Sequence, residues 1–271
     1  MKGGLYLYTP KQNNLTIPQA SKAKGFTIVE TMIVLAVTGI LFVSAVTIVS
    51  GRQGKTQFQQ GINAVKTEIE QTVSDVQTGY YPNAQNFSCS LGAGGALVIT
   101  STTPATSTEQ GANKDCVFLG KVIQFKVQNE DNYAIYPIAG VRTATSLSTS
   151  RAKSVGQSTE KKLLQFGLTP KWVRPASGAD VGALGFITVF GVTNGEVKGS
   201  QSIQLVPVPS SNLNQTVSAG QAAIDAGLAS ATPVNGARVC YESGTTSQYG
   251  IISISGSGAV SLDIGNGNCP A

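Results

Sequence analysis

The sequence contains no histidine and few charged residues. None of its 271 residues is histidine, and charged side chains make up 12 % of the chain. Because imidazole is the usual base of nucleophilic triads and the commonest neutral nitrogen ligand of zinc, its absence excludes such triads and His-bearing zinc sites. Since globular proteins usually have about 25 % charged residues, the low value also argues against a charge-rich disordered chain or a nucleic-acid-binding tail.

The cysteines are few and lack metal-site spacing. The chain has four, with no C-x-x-C pair, at Cys89, Cys116, Cys240 and Cys269. An even number at such spacing favours two disulfides over a metal cage, and disulfides indicate an oxidising compartment. Sequence proximity favours the pairs Cys89–Cys116 and Cys240–Cys269, although four cysteines allow three connectivities. We therefore expect no metal site and no cofactor.

The net charge of +5 belongs almost entirely to the first 25 residues. That segment holds Lys2, Lys11, Lys22 and Lys24 and no acidic residue, whereas the remaining 246 residues hold 15 Lys and Arg against 14 Asp and Glu. The rest of the chain is therefore close to neutral, and the basic character is a property of the leader.

An apolar run follows the leader directly. Residues 31–50 contain no charged side chain. Twenty helical residues extend over about 30 Å, which is the thickness of a membrane's hydrocarbon layer. Beyond the run, apolar residues recur at helical spacing along one face, at Phe58, Ile62, Val65, Ile69, Val73 and Val76. The pattern predicts one helix over residues 26–78, with 26–50 transmembrane and 51–78 amphipathic, ended by a Gly and Pro turn at 79–83.

The composition after Pro82 indicates a β-rich domain over residues 79–271. Short β-type runs alternate there with Gly, Ser, Thr and Asn, and strands are predicted near 96–100, 117–127, 133–138, 186–192, 202–208, 237–241, 250–254 and 259–264. A short helix is predicted over 219–228, and the Ser/Thr-rich stretches 100–108 and 143–159 are predicted to be exposed loops. The fold class is therefore α+β, with a long N-terminal helix packed on an antiparallel β-sheet globular domain.

The junction between leader and apolar run carries a specific motif. An ordinary secretory signal places its cleavage site after the apolar core, but here the lysines and the small residue Gly25 precede it. The stretch Lys24-Gly25-Phe26-Thr27-Ile28-Val29-Glu30 resembles the class III signal of type IV pilins and type II secretion pseudopilins. The resemblance covers residues 24–78. Gly39 also matches the family, whereas Thr47 stands where a proline is often found.

The resemblance implies a leader of residues 1–25, cleavage after Gly25, N-methylation of Phe26 and a role for Glu30 in filament assembly. It implies a pilin-like fold and a structural, non-enzymatic subunit of a type IV pilus (fimbrium) or pseudopilus. Its partners would be a prepilin peptidase/methyltransferase and other copies or pilin-like subunits. The protein would sit in the cytoplasmic membrane as a single-pass protein before assembly, then in a cell-surface pilus or a periplasmic pseudopilus. The Cys240–Cys269 loop is similar to the C-terminal disulfide loop of many pilins.

A different class of function is also compatible with the sequence. The chain could be a membrane-tethered binding module that never polymerises and presents its β domain to a glycan, DNA or protein ligand. Four cations surround Trp172 with Phe166 nearby, namely Lys161, Lys162, Lys171 and Arg174. Such a group could bind DNA or another polyanion by charge and stacking, and the simpler interpretation is a solvated loop with one buried indole. The two classes differ in whether the leader is cut and whether Glu30 is needed.

Overall fold

The chain divides into two units, Met1–Ser50 and Gly51–Ala271. The computed structural model describes residues 25–79, 87–101, 116–127, 131–141, 151–176, 178–188, 191–193, 196–198, 203–209 and 216–270.

The first element is a single helix, α1, which extends over Ile28–Thr78. It ends at Gly79, whose φ of +67° is the left-handed conformation that only glycine adopts without strain. The Gly79 N–H donates to the Val76 carbonyl at 3.3 Å, which satisfies one of the last carbonyls of the helix. By length and composition, the N-terminal part of α1 can cross a membrane. The long helix predicted over 26–78 is therefore present, and it begins at Ile28, two residues later than predicted.

The rest of the described chain is mostly β-structure. In chain order it comprises β1 (Phe87–Leu91), β2 (Leu97–Ser101), β3 (Cys116–Val127), β4 (Asn132–Val141), β5 (Lys153–Ser154), β6 (Glu160–Leu163), β7 (Leu168–Pro175), β8 (Ala183–Ile187), β9 (Gly191–Thr193), β10 (Glu196–Lys198), β11 (Gln204–Val208), α2 (Val217–Leu228), β12 (Gly236–Ser243), β13 (Gln248–Ser255) and β14 (Val260–Asn266). A long apolar helix with antiparallel sheets confirms the predicted α+β class.

Two sheets form the body of the second unit, and every pairing in them is antiparallel. The larger has the strand order β11-β8-β3-β4-β5, with β6 also paired to β4. The smaller has the order β14-β13-β12-β7. Two short hairpins, β1-β2 and β9-β10, lie outside these sheets.

A bulge in β3 shows why glycine is required at one position. The register between β3 and β4 shifts between Phe118 and Gly120, and Gly120 has a φ of +155°. A Cβ at this position would overlap the Phe186 carbonyl oxygen of the neighbouring strand β8. Any larger residue would therefore push two central strands apart.

The main core lies between α1 and both sheets. The six predicted stripe residues of α1 are all buried, namely Phe58, Ile62, Val65, Ile69, Val73 and Val76. They share one cluster with Ile123 and Ile135 of the larger sheet and Val239 and Ile252 of the smaller. Because full burial of such a side chain contributes about 1.5–3 kcal/mol, this face dominates the attachment of the helix. The predicted packing of the amphipathic segment on the β domain is confirmed.

An ion pair also links α1 to the larger sheet. Asp75 on the helix lies 2.6 Å from Lys121 Nζ on β3, and both side chains are largely buried. Removing either partner would leave an uncompensated charge in a poorly hydrated place, which is strongly destabilising.

The second core lies on the opposite face of the larger sheet, where α2 packs. Ile224 and Leu228 of α2 are buried against Val206, Val208 and other residues of that face. The helix begins at Val217, two residues before the predicted start of 219–228, and ends at Leu228 as predicted. Thr216 is the cause, since its hydroxyl caps the helix by accepting from the Ala219 N–H at 3.2 Å.

The strand predicted over 186–192 is wrong in extent. β8 ends at Ile187, and Gly191–Thr193 belongs to the separate β9. After Ile187, Thr188 donates both its backbone N–H and its hydroxyl to the Leu119 carbonyl beside the β3 bulge. These two hydrogen bonds lie where the pairing between β8 and β3 ends.

The prediction that 143–159 is an exposed loop is wrong for its last residues. Lys153–Ser154 forms β5, and Ser154, Val155 and Ser158 are buried. Ser154 is fixed by Asp225 of α2, whose Oδ1 accepts from the Ser154 N–H at 2.7 Å and from its hydroxyl at 2.6 Å. Residues 143–150 of this stretch, and residues 102–108 of the loop predicted at 100–108, lie outside the described residues.

Candidate functional site

The N-terminal end of α1 is built as a capping box. Gly25, Phe26 and Thr27 precede the helix and are exposed, and Glu30 lies in its first turn. The Glu30 N–H donates to Thr27 Oγ1 at 3.2 Å, and the Thr27 N–H donates to Glu30 Oε2 at 3.4 Å. These reciprocal bonds satisfy two of the backbone donors that a helix start leaves unpaired. This role was not predicted from the sequence, although the pattern Thr27-x-x-Glu30 is its usual signature.

The carboxylate of Glu30 therefore has two properties at once. It caps the helix, and its negative charge lies at the positive end of the helix dipole. Phe26 adjoins Thr27, whose N–H donates to the Glu30 carboxylate at 3.4 Å, so a new α-amino group on Phe26 would belong to the residue next to this hydrogen bond. A carboxylate therefore lies near the residue on which cleavage after Gly25 would create a cation.

The apolar part of α1 carries no unsatisfied hydroxyl group. The four hydroxyl side chains between residues 28 and 49 each donate to a carbonyl in the preceding turn, and they belong to Thr31, Thr38, Ser44 and Thr47. Such bonds let Ser and Thr lie in hydrocarbon, where an unsatisfied polar group costs several kcal/mol. The large apolar side chains of this segment are exposed. In a membrane these exposed side chains would contact lipid or other apolar helices.

The C-terminal disulfide is present as predicted. Cys240 on β12 and Cys269 after β14 are bonded and close a stretch of 29 residues. The Cys269 N–H also donates to Glu242 Oε1 at 2.8 Å, which holds the end of the chain to β12. For the other predicted pair, the backbones of Cys89 and Cys116 lie in β1 and β3, but their side chains fall outside the described part, so that pairing stays a prediction.

The predicted cation group around Trp172 lies on strands, and most of it is neutralised. Trp172 is a buried residue of β7. Three of the four cations have carboxylate partners, and these pairs are Lys162 with Glu68 and Glu160, Lys171 with Glu242, and Arg174 with Asp180. Burial lowers the pKa of Lys162, but its contacts with Glu68 and Glu160 outweigh burial, so its pKa is raised and it stays charged. These pairs leave little free charge for a polyanion.

The face of Trp172 is also occupied. The Arg174 guanidinium lies 4.5 Å from the centre of the indole ring, which is a cation–π contact. Phe166, the other predicted aromatic, is partly exposed with a φ of +58° in the turn before β7. Trp172 and Phe166 therefore do not form the stacking platform that single-stranded nucleic acid would need.

The fold and the N-terminal segment together define a class of protein: an α+β domain carried by one long helix whose first part is apolar enough to anchor it in a membrane. Residues 20–46 match the model of the prokaryotic N-terminal methylation motif. This match supports a pilin-like prepilin family for the chain and processing of its leader by a prepilin peptidase. No curated protein and no solved structure matches the chain.

Proposed function

We propose that this protein is a structural subunit of a type IV pilus or pseudopilus, polymerised through its N-terminal helix. The observation that carries the proposal is the methylation motif over residues 20–46, which coincides with Gly25, Phe26, Glu30 and the apolar start of α1. Pilin-like proteins of this kind are typically structural, so we propose no catalytic role for the chain.

The first step of the proposed sequence is processing. A prepilin peptidase/methyltransferase cuts the peptide bond between Gly25 and Phe26 and methylates the new amino group of Phe26. Both residues are exposed and precede the helix, so the scissile bond lies in accessible, non-helical backbone. Residues 1–25 are then removed as the leader.

The second step is anchoring. Residues 26–50 hold the subunit in the cytoplasmic membrane, residues 51–78 form the amphipathic second half of the helix, and residues 79–271 form the globular domain. The buried stripe of the second half leaves a polar outer face that includes Gln59, Gln60, Asn63 and Thr67. That face is free to contact neighbouring subunits.

The third step is assembly through Glu30. A carboxylate within a bilayer costs about 2.5–3.5 kcal/mol near the centre and less near an interface, so it needs a cationic partner. The Phe26 amine of an adjacent subunit would neutralise it and fix the axial register. At about 4 Å and an effective dielectric constant of about 20, such a pair is worth roughly 4 kcal/mol before desolvation is subtracted. The filament is then a cell-surface pilus or a periplasmic pseudopilus.

The experiment that tests this proposal is leader processing in a cell that supplies a prepilin peptidase. We expect the wild-type chain to lose its leader and to enter filaments that can be sheared from the cell. Replacing Gly25 with leucine places a bulky side chain at the scissile bond and should leave the full-length precursor in the membrane. The matched control is the wild-type chain in the same cell without the peptidase. Filaments built from uncut Gly25→Leu protein would contradict the proposal.

A further inference from the structure

One face of the smaller sheet carries a row of polar side chains across all four strands. Arg174 on β7 is in register with Arg238 on β12, Arg238 with Ser253 on β13, and Ser253 with Ser261 on β14. Neighbouring strands lie about 4.8 Å apart, so the row is about 14 Å long. The Arg238 side chain is exposed, and its neighbours in β12 are buried in the core. The row therefore faces away from α1.

The row lines an open groove. The groove has a volume of about 460 Å³, and its lining includes all four residues of the row together with Asn235. Its walls come from the ends of β7 and β12 and from the β13-β14 hairpin. The groove is thus built on paired strands of one sheet.

The charges in this groove are unbalanced. Arg174 and Arg238 lie directly opposite each other on adjacent strands, and like charges in that position are destabilising. Asp180 compensates only the first, since Asp180 Oδ1 accepts from Arg174 Nε at 2.6 Å. Within the described part of the chain, Arg238 has no carboxylate within 4.0 Å, and the hydroxyls of Ser253 and Ser261 have no hydrogen-bond partner. Among the described residues, the groove therefore offers one cation without a carboxylate partner and two hydroxyl groups without a hydrogen-bond partner.

We propose that this groove binds an acidic saccharide, with the carboxylate of a uronic acid on Arg238 and sugar hydroxyls on Ser253 and Ser261. A guanidinium suits a carboxylate because its planar donors can form two parallel hydrogen bonds. One net positive charge matches one carboxylate, whereas nucleic-acid binding relies on several phosphate contacts and on exposed aromatic rings. Trp172 is buried beneath Arg174 and provides no such ring. The inference concerns the β domain and does not depend on filament assembly.

The chain provides its own reporter for this site. Trp172 is its only tryptophan, and the Arg174 guanidinium lies over its ring at 4.5 Å. A carboxylate that binds to Arg238 lies beside Arg174, which is opposite Arg238 on the adjacent strand, and so changes the surroundings of Arg174 and the fluorescence of the indole. Binding can therefore be followed without a label and checked by calorimetry.

The test is a titration of the full chain in non-ionic detergent with trigalacturonate. The comparison probes are its fully methyl-esterified form and a single-stranded DNA decamer. We expect trigalacturonate to bind and the other two probes to fail. Arg238→Gln should weaken binding by about tenfold or more, which corresponds to about 1.4 kcal/mol, and Ser253→Ala should weaken it by a smaller factor. The matched control is Lys161→Gln, which removes an exposed cation of the other sheet and should bind as the wild type does.

Four results would overturn the proposal. The first is no binding of trigalacturonate by the wild type, and the second is equal affinity of wild type and Arg238→Gln. The third is binding of the methyl ester with the same affinity as trigalacturonate, since that would mean that the groove does not recognise a carboxylate. The fourth is binding of the DNA decamer with the same dependence on Arg238, which would assign the groove to nucleic acid. Each variant is first compared with the wild type by its melting temperature, and Ser253→Ala keeps the test valid if Arg238→Gln does not fold.

Discussion

The two properties of Glu30 can be separated by three substitutions. Glu30→Ala removes both the charge and the cap, whereas Glu30→Gln removes the charge and keeps an N3 side chain that can still complete a capping box. Thr27→Ala keeps the carboxylate but removes the hydroxyl that accepts from the Glu30 N–H at 3.2 Å. The three variants therefore distinguish an electrostatic role in assembly from a role in starting the helix.

The expected magnitudes differ enough to be measured. Loss of a Thr cap costs about 0.5–2 kcal/mol of helix stability, which is a factor of about 2–30 in an equilibrium constant. Loss of a carboxylate–amine pair worth up to about 4 kcal/mol at an effective dielectric constant of about 20 reaches about 10³-fold in the assembly constant. Glu30→Gln should therefore abolish filaments nearly as completely as Glu30→Ala, and Thr27→Ala should only reduce them.

The assay is the amount of protein in the sheared filament fraction relative to the amount in membranes, with leader removal measured in both fractions. All three variants should be cut and membrane-bound. Wild-type filament yield from Glu30→Gln would refute the charge argument. A defect in Thr27→Ala as severe as that in Glu30→Ala would show that the cap is the essential function.

Three further predictions concern the β domain and its attachment to α1. Desolvation raises the pKa of Asp225 above its ordinary 3.8, so the folded state binds the proton more tightly and the free energy of unfolding falls as pH rises from 3.8 through the folded-state pKa. Asp225→Asn keeps the acceptor for Ser154 and should remove that fall in pH-dependent urea melts. Ile62→Ala, at a fully buried position of α1, should lower the free energy of unfolding by about 2–5 kcal/mol in urea. Cys240→Ser with Cys269→Ser should lower it by about 3–4 kcal/mol, since the bridge closes 29 residues.

Each of these predictions has a control. Asp263→Asn changes an exposed carboxylate on β14 and should leave the pH dependence of unfolding as in the wild type. Thr67→Ala lies on the exposed face of α1 and should change stability by less than about 0.5 kcal/mol. For the cysteines, reduction should lower the free energy of unfolding of the wild type by about 3–4 kcal/mol more than it lowers that of the double variant. A pH profile unchanged in Asp225→Asn, or an Ile62→Ala cost no greater than that of Thr67→Ala, would contradict the packing described above.

The long helix could be predicted from sequence because its signals are local and periodic. An uncharged run of membrane length and a six-residue stripe at helical spacing need no tertiary information. The same holds for β3, β4, β13 and β14, which are β-type runs between turn residues. The capping box has an equally local signature in Thr27-x-x-Glu30.

The remaining features depend on contacts that are distant in sequence. β7 was not predicted because it contains Pro170 and Pro175, which sequence rules assign to turns. Here β7 is an edge strand with a register shift opposite Cys240 and Tyr241, the setting in which a sheet tolerates proline. The neutralisation of Lys162 by Glu68, 94 positions earlier in the chain, likewise requires α1 to pack on the sheet. Local patterns cannot show such pairings.

The measurement that tests the central claim most directly is mass spectrometry of the protein from sheared surface filaments and, separately, from membranes. The account predicts that the filament fraction contains an N-terminal peptide beginning at Phe26 with one added methyl group. A protein found only in membranes, with residues 1–25 still attached, would contradict it.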